Sequence, residues 1–344
     1  MKLRKLFLFG LLGGVFLNSC SSDDDNINPQ PEPETGSYAE GFFVLNEGQN
    51  LGSVTFVSDD FQTVEQDIYT AVNDGDDIGK WAQSIFFTDE LAFIVGGGSN
   101  IITVVDRYSF ELVGKVETGL QAPRYGAVID GKAYVTNHAG WESVEDDYLV
   151  IIDVETLQIE DSIVVGDAAE TVIAENGLLY IQNAAYGSGN SVSVFNPATK
   201  AVEKTIETKE GLSDFEIYKG NLYALSSAGL QVRNINSGEL ISEISFSDDL
   251  AGASKLDVED DKIYYTVEGD VFAVGLDATE PAEAAVISSN SANLYGFDVE
   301  DDHIYLADAP SFSESGMVRI YTFTGQLVAE LSVGIGPNGF YFND

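Results

Sequence analysis

The chain is 344 residues long, carries 57 acidic against 16 basic residues for a formal charge of −41, and holds one cysteine. That balance excludes nucleic acid and anionic lipid headgroups as partners, because phosphates are held by clustered Lys and Arg. A single cysteine also excludes intrachain disulfides, so stability must come from burying the hydrophobic residues that make up 44% of the chain.

The chain begins with a leader. Lys2, Arg4 and Lys5 precede an apolar stretch from Leu6 to Leu17. That stretch is too short for a transmembrane helix, which needs about 20 apolar residues, and residues 1–19 read as a secretion signal. Leu17-Asn18-Ser19-Cys20 resembles the bacterial lipobox, in which the signal is cut before a cysteine that then carries lipid. Ser21-Ser22-Asp23-Asp24-Asp25 resembles the acidic export signal of Bacteroidota surface lipoproteins. These resemblances imply a lipid on Cys20 as the sole attachment to the membrane and a cell-surface address on the outer membrane. Loss of residues 1–19 leaves 13 basic residues against 57 acidic ones, a formal charge of −44. Residues 20–37, with Pro29, Pro31 and Pro33, form a flexible acidic tether.

From residue 38 onward an aromatic residue recurs two places into a short apolar run. It does so at Phe43, Phe93, Tyr134, Tyr180, Tyr223, Tyr264 and Tyr305, in steps of 41 to 50 residues. Runs such as Lys132-Ala133-Tyr134-Val135-Thr136 are short and rich in β-branched and aromatic residues, which makes them strands. Polar pairs stand before them, at Asp130-Gly131, Asn176-Gly177, Lys219-Gly220, Asp260-Asp261 and Asp301-Asp302, and favour tight hairpins. A third strand follows, then a shorter and more polar fourth, such as Leu112-Val113-Gly114-Lys115-Val116, suited to an outer edge. A repeat of this length built from four short strands predicts an all-β fold, a β-propeller of four-stranded antiparallel blades.

The two ends predict how the ring closes. Residues 41–69 supply only three strands, whereas Pro337-Asn338-Gly339-Phe340-Tyr341-Phe342 reads as a lone inner strand. The tail therefore completes the first blade, giving seven blades in one domain over residues 38–344.

Blade geometry then sorts the loops. Those after each second strand and those leading into the next inner strand share one end of the ring, here the top face. It collects Asn46, Glu47, Gln49 and Asn50; Gly96 to Asn100; Asn137, His138 and Trp141; Asn183 and Tyr186; and Pro310 and Phe312. The leading loops add Trp81, Gln83, Arg124, Tyr125, Asp214, Lys255, Asn293, Tyr295 and Asn338. Aromatics and amides on one concave rim suit a bulky polar ligand, while the opposite face carries tight acidic turns. Trp81 has two competing roles, as a plug between blades or as a ligand contact. Trp141, in the insertion from Asn137 to Asp147, has little core to join.

An enzyme is not expected. Propeller hydrolases and lyases need a histidine base or a metal, and the two histidines, His138 and His303, fall on opposite faces. Asn73-Asp74-Gly75-Asp76-Asp77-Ile78-Gly79 has the flavour of a calcium loop without its final Glu, and reads as an ordinary acidic loop. The expectation is no catalytic residue, no metal and no cofactor. The enzyme alternative is a calcium-dependent lactonase using Glu47, Asn137 and Asp214.

Turns such as Gly119-Leu120-Gln121-Ala122-Pro123 and Gly334-Ile335-Gly336-Pro337-Asn338 resemble those of YncE-type seven-bladed propellers, over essentially all of residues 38–344. With the lipoprotein leader, the chain is similar to the BtuG group of Bacteroidota, surface lipoproteins that capture cobalamin and pass it to a TonB-dependent outer-membrane transporter. The resemblance implies cobalamin or a related corrinoid as ligand and such a transporter as partner. It also implies Trp81, Arg124, Tyr125, Asn137, Trp141, Tyr186 and Tyr295 as contact residues. The alternative from another class is a surface module that binds a protein or a glycan through the same face, without corrinoid.

Overall fold

Five hairpin turns show how the repeat is set. At Asp130-Gly131, Asn176-Gly177, Lys219-Gly220, Asp260-Asp261 and Asp301-Asp302 both residues take positive φ, for example 50° and 72° at the first pair. This is the turn whose twist matches that of the flanking strands, and Asn, Asp and Gly reach it at least strain. Each pair joins an inner strand to its aromatic-bearing second strand.

The computed structural model describes residues 36–140, 143–247 and 250–343. The leader, Cys20, nearly all of the tether and Trp141 lie outside the described residues. The described chain forms a seven-bladed propeller of antiparallel sheets. The inner strands of blades 2 to 7 are Ala82–Phe87, Pro123–Ile129, Ala169–Glu175, Leu212–Tyr218, Ala253–Glu259 and Leu294–Glu300. Blade 1 takes its inner strand from the far end of the chain. Pro337–Phe342 pairs with Gly41–Asn46, so that Phe43 faces Tyr341 and Val44 faces Phe340.

Closure is reinforced by side chains. Asn343 Nδ2 donates to Tyr38 O at 2.6 Å, Arg107 Nε donates to Asn343 Oδ1, and Gln66 Nε2 reaches Ser332 O in blade 7 at 2.7 Å. Phe42, Tyr305, Phe340 and Phe342 pack together as one aromatic cluster across the seam.

Blade 6 departs from the repeat. It shows three strands, and where a fourth would lie Ile287 makes a single bridge with Val271, whose N–H donates to Ile287 O at 2.9 Å. The chain reaches that point through Pro281, which has no N–H to give a ladder. Between blades 1 and 2 a short helix, Ile68–Val72, buries Ile68 and Tyr69. The acidic loop after it is structural: Asp76 pairs with Lys115 at 2.6 Å and accepts the Tyr69 hydroxyl at 2.6 Å, while Asn73 donates to Phe110 O at 3.0 Å.

The core is divided among the blade junctions, as seven apolar clusters each shared by neighbouring sheets. The recurring aromatics are buried within them. Each of these aromatics faces one inner-strand residue, and around the ring these partners are Tyr341, Phe86, Ala127, Ile173, Glu216, Asp257 and Asp298. Blades 1 to 4 therefore place apolar groups at this level of the channel and blades 5 to 7 place carboxyls. No helix among the described residues is long and apolar enough to cross a membrane.

Candidate functional site

The site is built where blades 2, 3 and 4 meet at the top of the channel. Loop Gly97–Asn100 of blade 2, the leading residues Gln121 and Ala122 of blade 3, and His138 and Ala139 after its second strand line a cavity of about 330 Å3 with Trp81 and Arg124.

Trp81 is shaped by its backbone. It sits at φ 51°, a left-handed conformation that bulky residues rarely adopt. The carbonyls of Lys80 and Trp81 accept the N–H groups of Gly98 and Gly97 at 2.9 and 3.0 Å, which locks the turn. The indole then lies on Gly98, where an added Cβ would come within 2.8 Å of ring carbons, so this position requires glycine. Trp81 is 55% exposed. It is thus a platform with one face on the backbone and the other in the open, not a plug between blades. The exposed aromatics of the described chain, Trp81, Tyr186 and Phe312, all stand on this top face.

Arg124 is held rigidly. Its Nε donates to Glu170 Oε1 at 2.9 Å, Nη2 donates to the same oxygen, and Nη1 donates to Gln83 Oε1 at 2.6 Å. The other Glu170 oxygen lies 3.1 Å from His138 Nε2. Burial pushes the Glu170 carboxyl up, but the His138 hydrogen bond and the Arg124 charge outweigh it and hold the group below its ordinary range. Gln83 also donates to the Tyr125 hydroxyl at 3.0 Å, and Tyr125 is pushed up to about 12, mainly by burial.

Six of the expected contact residues lie within the described chain, and they connect around this cluster in different ways. Trp81 and Arg124 line the cavity. Tyr186 meets His138 edge-on at 5.7 Å between ring centroids. Tyr125 is tied in through Gln83. Tyr295 stands across the channel, its hydroxyl given to Glu47 and its ring edge-on to Phe312 at 5.0 Å. Asn137 is fully buried and does not reach the surface. Its Nδ2 donates to Val135 O at 3.0 Å and its Oδ1 accepts from Gln121 N at 3.1 Å, so it positions Gln121 from below. Trp141 is outside the described residues. Glu170, the hub of the cluster, was not among the expected residues; Asn100 and His138 were placed on this face but not among its contacts, and Gln121 was read only as part of a turn.

The carboxyls of blades 5 to 7 form a second chemical feature of the channel. Glu216 is pushed up to about 8, first by burial and then by the charge of Asp257, and accepts Ile217 N at 3.0 Å. Asp257 is pushed up to about 7 by burial while accepting Val299 N at 2.8 Å. Asp298 is raised well above its usual range by burial and by Asp257 beside it. Two carboxyls in contact share a proton, because both cannot be charged at that distance. No group of three or more His, Cys, Asp or Glu placed to hold a metal occurs among the described residues.

Residues 40–272 match the family described as a domain of unknown function, DUF5074. The chain belongs to the DUF5074 family. Curated proteins yield no match. Among solved structures, this DUF5074 propeller is similar to a quinonprotein alcohol dehydrogenase-like protein from Bacteroides thetaiotaomicron. That match has 16% identity and a TM-score of 0.69, and covers 89% of this chain and 79% of the other. It is also similar to a functionally unknown protein from Desulfotomaculum acetoxidans, at 13% identity and TM-score 0.63 over 87% and 97% of the two chains. BamB from Moraxella catarrhalis follows at 14% identity and TM-score 0.54 over 88% and 86%. At these identities the likeness speaks for the fold alone. The fold is also what DUF5074 and its structural neighbours share.

Proposed function

We propose that the protein is a non-catalytic ligand-capturing propeller whose top face takes a polar ligand over the cavity between blades 2 and 3. One observation carries this: Trp81 is held at positive φ with its indole open, beside an Arg124 already fixed by Glu170 and Gln83. Left-handed backbone at a bulky residue costs about 1–2 kcal/mol; Phe61, Phe110 and Leu157 carry it too, but with side chains buried or half-buried, whereas the indole of Trp81 stays exposed. Exposing an indole gives up about 1.5–3 kcal/mol of burial as well.

The finer form of the proposal follows the resemblance to the BtuG group. Cobalamin or a related corrinoid would lie across the funnel mouth, edged by Trp81, Tyr186 and Tyr295, and be handed to a TonB-dependent transporter. Lipid on Cys20 would hold the protein on the outer face of the outer membrane. A glycan is the second reading, favoured by size. A cavity of about 330 Å3 is near the small end for ligand sites and takes a sugar ring sooner than a whole corrinoid. The lactonase alternative finds less support. Glu47 is engaged by Tyr295, Asn137 is buried, and Asp214 accepts the N–H groups of Leu256 and Phe215 at 3.0 and 2.9 Å.

Calorimetric titration with cyanocobalamin and with a panel of oligosaccharides tests the proposal, using the wild type and Trp81→Ala. A one-to-one complex weakened by about 1–3 kcal/mol in the variant is expected for an aromatic contact at a binding face. Binding that Trp81→Ala leaves untouched would move the ligand elsewhere.

A further inference from the structure

We infer that the cavity between blades 2 and 3 is an oxyanion subsite: it takes the carboxylate or phosphate of a ring-bearing ligand, with the ring on Trp81 and the anion on Arg124. This inference rests on that cavity being the ligand site and adds the chemistry of the group it recognises.

Comparison among the cavities gives the first argument. The cavity of about 420 Å3 between blades 1, 2 and 7 is lined by Asp67, Asp76 and Asp77, and the one of about 260 Å3 near blades 6 and 7 by Glu268. Acidic lining is what a chain with 57 acidic and 16 basic residues should show. The cavity beside Trp81 has none among the described residues; its polar lining is Asn100, Gln121, Arg124 and His138.

The hydrogen-bond inventory gives the second. A guanidinium has five N–H donors, and Glu170 and Gln83 take one each from Nε, Nη1 and Nη2. Among the described residues one N–H on each terminal nitrogen is left. Asn100 uses its Oδ1 to accept Ala122 N at 2.7 Å, which leaves its NH2 as the available end. Gln121, exposed at the rim of the cavity, can turn its NH2 toward such a ligand as well, since its amide carries a donor and an acceptor end. The side chains thus offer a surplus of donors, and the group that answers it is an acceptor-only one. Carboxylate and phosphate are acceptor-only, and a guanidinium binds both through paired N–H groups. A sugar hydroxyl or an amine brings donors of its own and leaves part of the surplus unanswered.

The test uses the full chain and three probes: digalacturonate, which carries carboxylates on sugar rings; galactobiose, its neutral counterpart; and cyanocobalamin, which carries a phosphodiester. Titrations compare the wild type with Gln121→Glu and Gln121→Ala. Gln121 is exposed and outside the Glu170 cluster, so these variants keep the fold. The expected result is that digalacturonate or cyanocobalamin binds at least tenfold more tightly than galactobiose. Gln121→Glu should weaken that binding about tenfold or more, and Gln121→Ala no more than about threefold. Whichever anionic probe binds assigns the source of the oxyanion. Equal binding of galactobiose and digalacturonate, both weakened by Trp81→Ala, overturns the oxyanion and leaves the ligand site standing. No heat and no rise in melting temperature with any probe overturns both.

Discussion

Replacing Glu216 by Gln should make the propeller more stable at pH 8 and leave it unchanged at pH 5. Glu216 sits on the inner strand of blade 5, half-buried, with its carboxyl pushed from an ordinary 4.5 to about 8 by burial and by Asp257. A group whose folded pKa is raised contributes its stability below the unfolded value. It loses that contribution as pH rises through the folded one. For Glu216 the window therefore runs from about pH 4.5 to about pH 8, and the wild type weakens across it. At 1.36 kcal/mol per tenfold change the ceiling is about 5 kcal/mol. Relaxation of the channel wall and entry of water soften the cost of burying a charge, which lowers the expected gain in the variant to roughly 1–3 kcal/mol. Gln keeps an Oε1 for the Ile217 N–H now 3.0 Å away, so no hydrogen bond is sacrificed. Urea unfolding at pH 5, 6, 7 and 8 reads both the size and the slope. A variant whose stability falls with pH as steeply as the wild type, or that is weaker at pH 8, refutes the reasoning.

Three further outcomes are expected. Removing Pro337–Phe342 and the residues after it takes the inner strand from blade 1, along with Phe340 and Phe342 of the seam cluster and Tyr341 beside them. At about 1.5–3 kcal/mol per buried aromatic this loss alone rivals the stability of a typical domain, so circular dichroism should show no cooperative melt. Gly98→Ala drives a Cβ into the Trp81 ring. It should weaken ligand binding nearly as much as Trp81→Ala, although residue 98 keeps its backbone conformation. Asp302→Gly relieves a left-handed Asp at φ 63° in the blade 7 hairpin and should raise the unfolding free energy by roughly 0.5–1 kcal/mol in urea.

Much of the fold was legible because the repeat is carried by buried residues. The seven aromatics recur at one register position, and the hairpin pairs before them specify positive φ by residue type alone. The missing fourth strand of blade 6 was not legible, since outer strands are the most polar of each blade and their sequences hardly differ from loops. In the site, Trp81 and Arg124 stood out by type and placement. The exposure of Trp81 was hidden, because it comes from a backbone dihedral that no pattern of side chains encodes. Asn137 looked like a rim amide but turns inward. Asn46 ends its second strand in the same way and bonds its own strand likewise, Nδ2 to Val44 O at 3.3 Å. Recurrence at one position of the repeat was the available sign of a structural role. Glu170 was lost among so many acids. Its signal was register: Ala169-Glu170 opens the inner strand of blade 4 as Pro123-Arg124 opens that of blade 3, which sets an acid beside the arginine.

The channel is polarised by these choices. Donors gather on blades 2 and 3, around Arg124, Gln83 and His138, with Glu170 of blade 4 as their counter-charge. Carboxyls pushed up by burial gather on blades 5 to 7. Arg124 bonds to Glu170 and Gln83 while Glu216 and Asp257 bond to Ile217 and Val299, and Tyr125 feels both halves, with Glu170 and Asp214 each acting on it. If blades 2 to 4 handle ligand and blades 5 to 7 set the pH response, the two properties should be separable. Trp81→Ala should lower affinity and leave the pH slope of stability intact, while Glu216→Gln should flatten that slope and leave affinity intact. Substitutions at sites without common partners add to within about 0.5 kcal/mol, so the double variant should show the sum of both effects. A coupling above about 1 kcal/mol, in either affinity or unfolding free energy, would mean that the carboxyl half of the channel also takes part in binding.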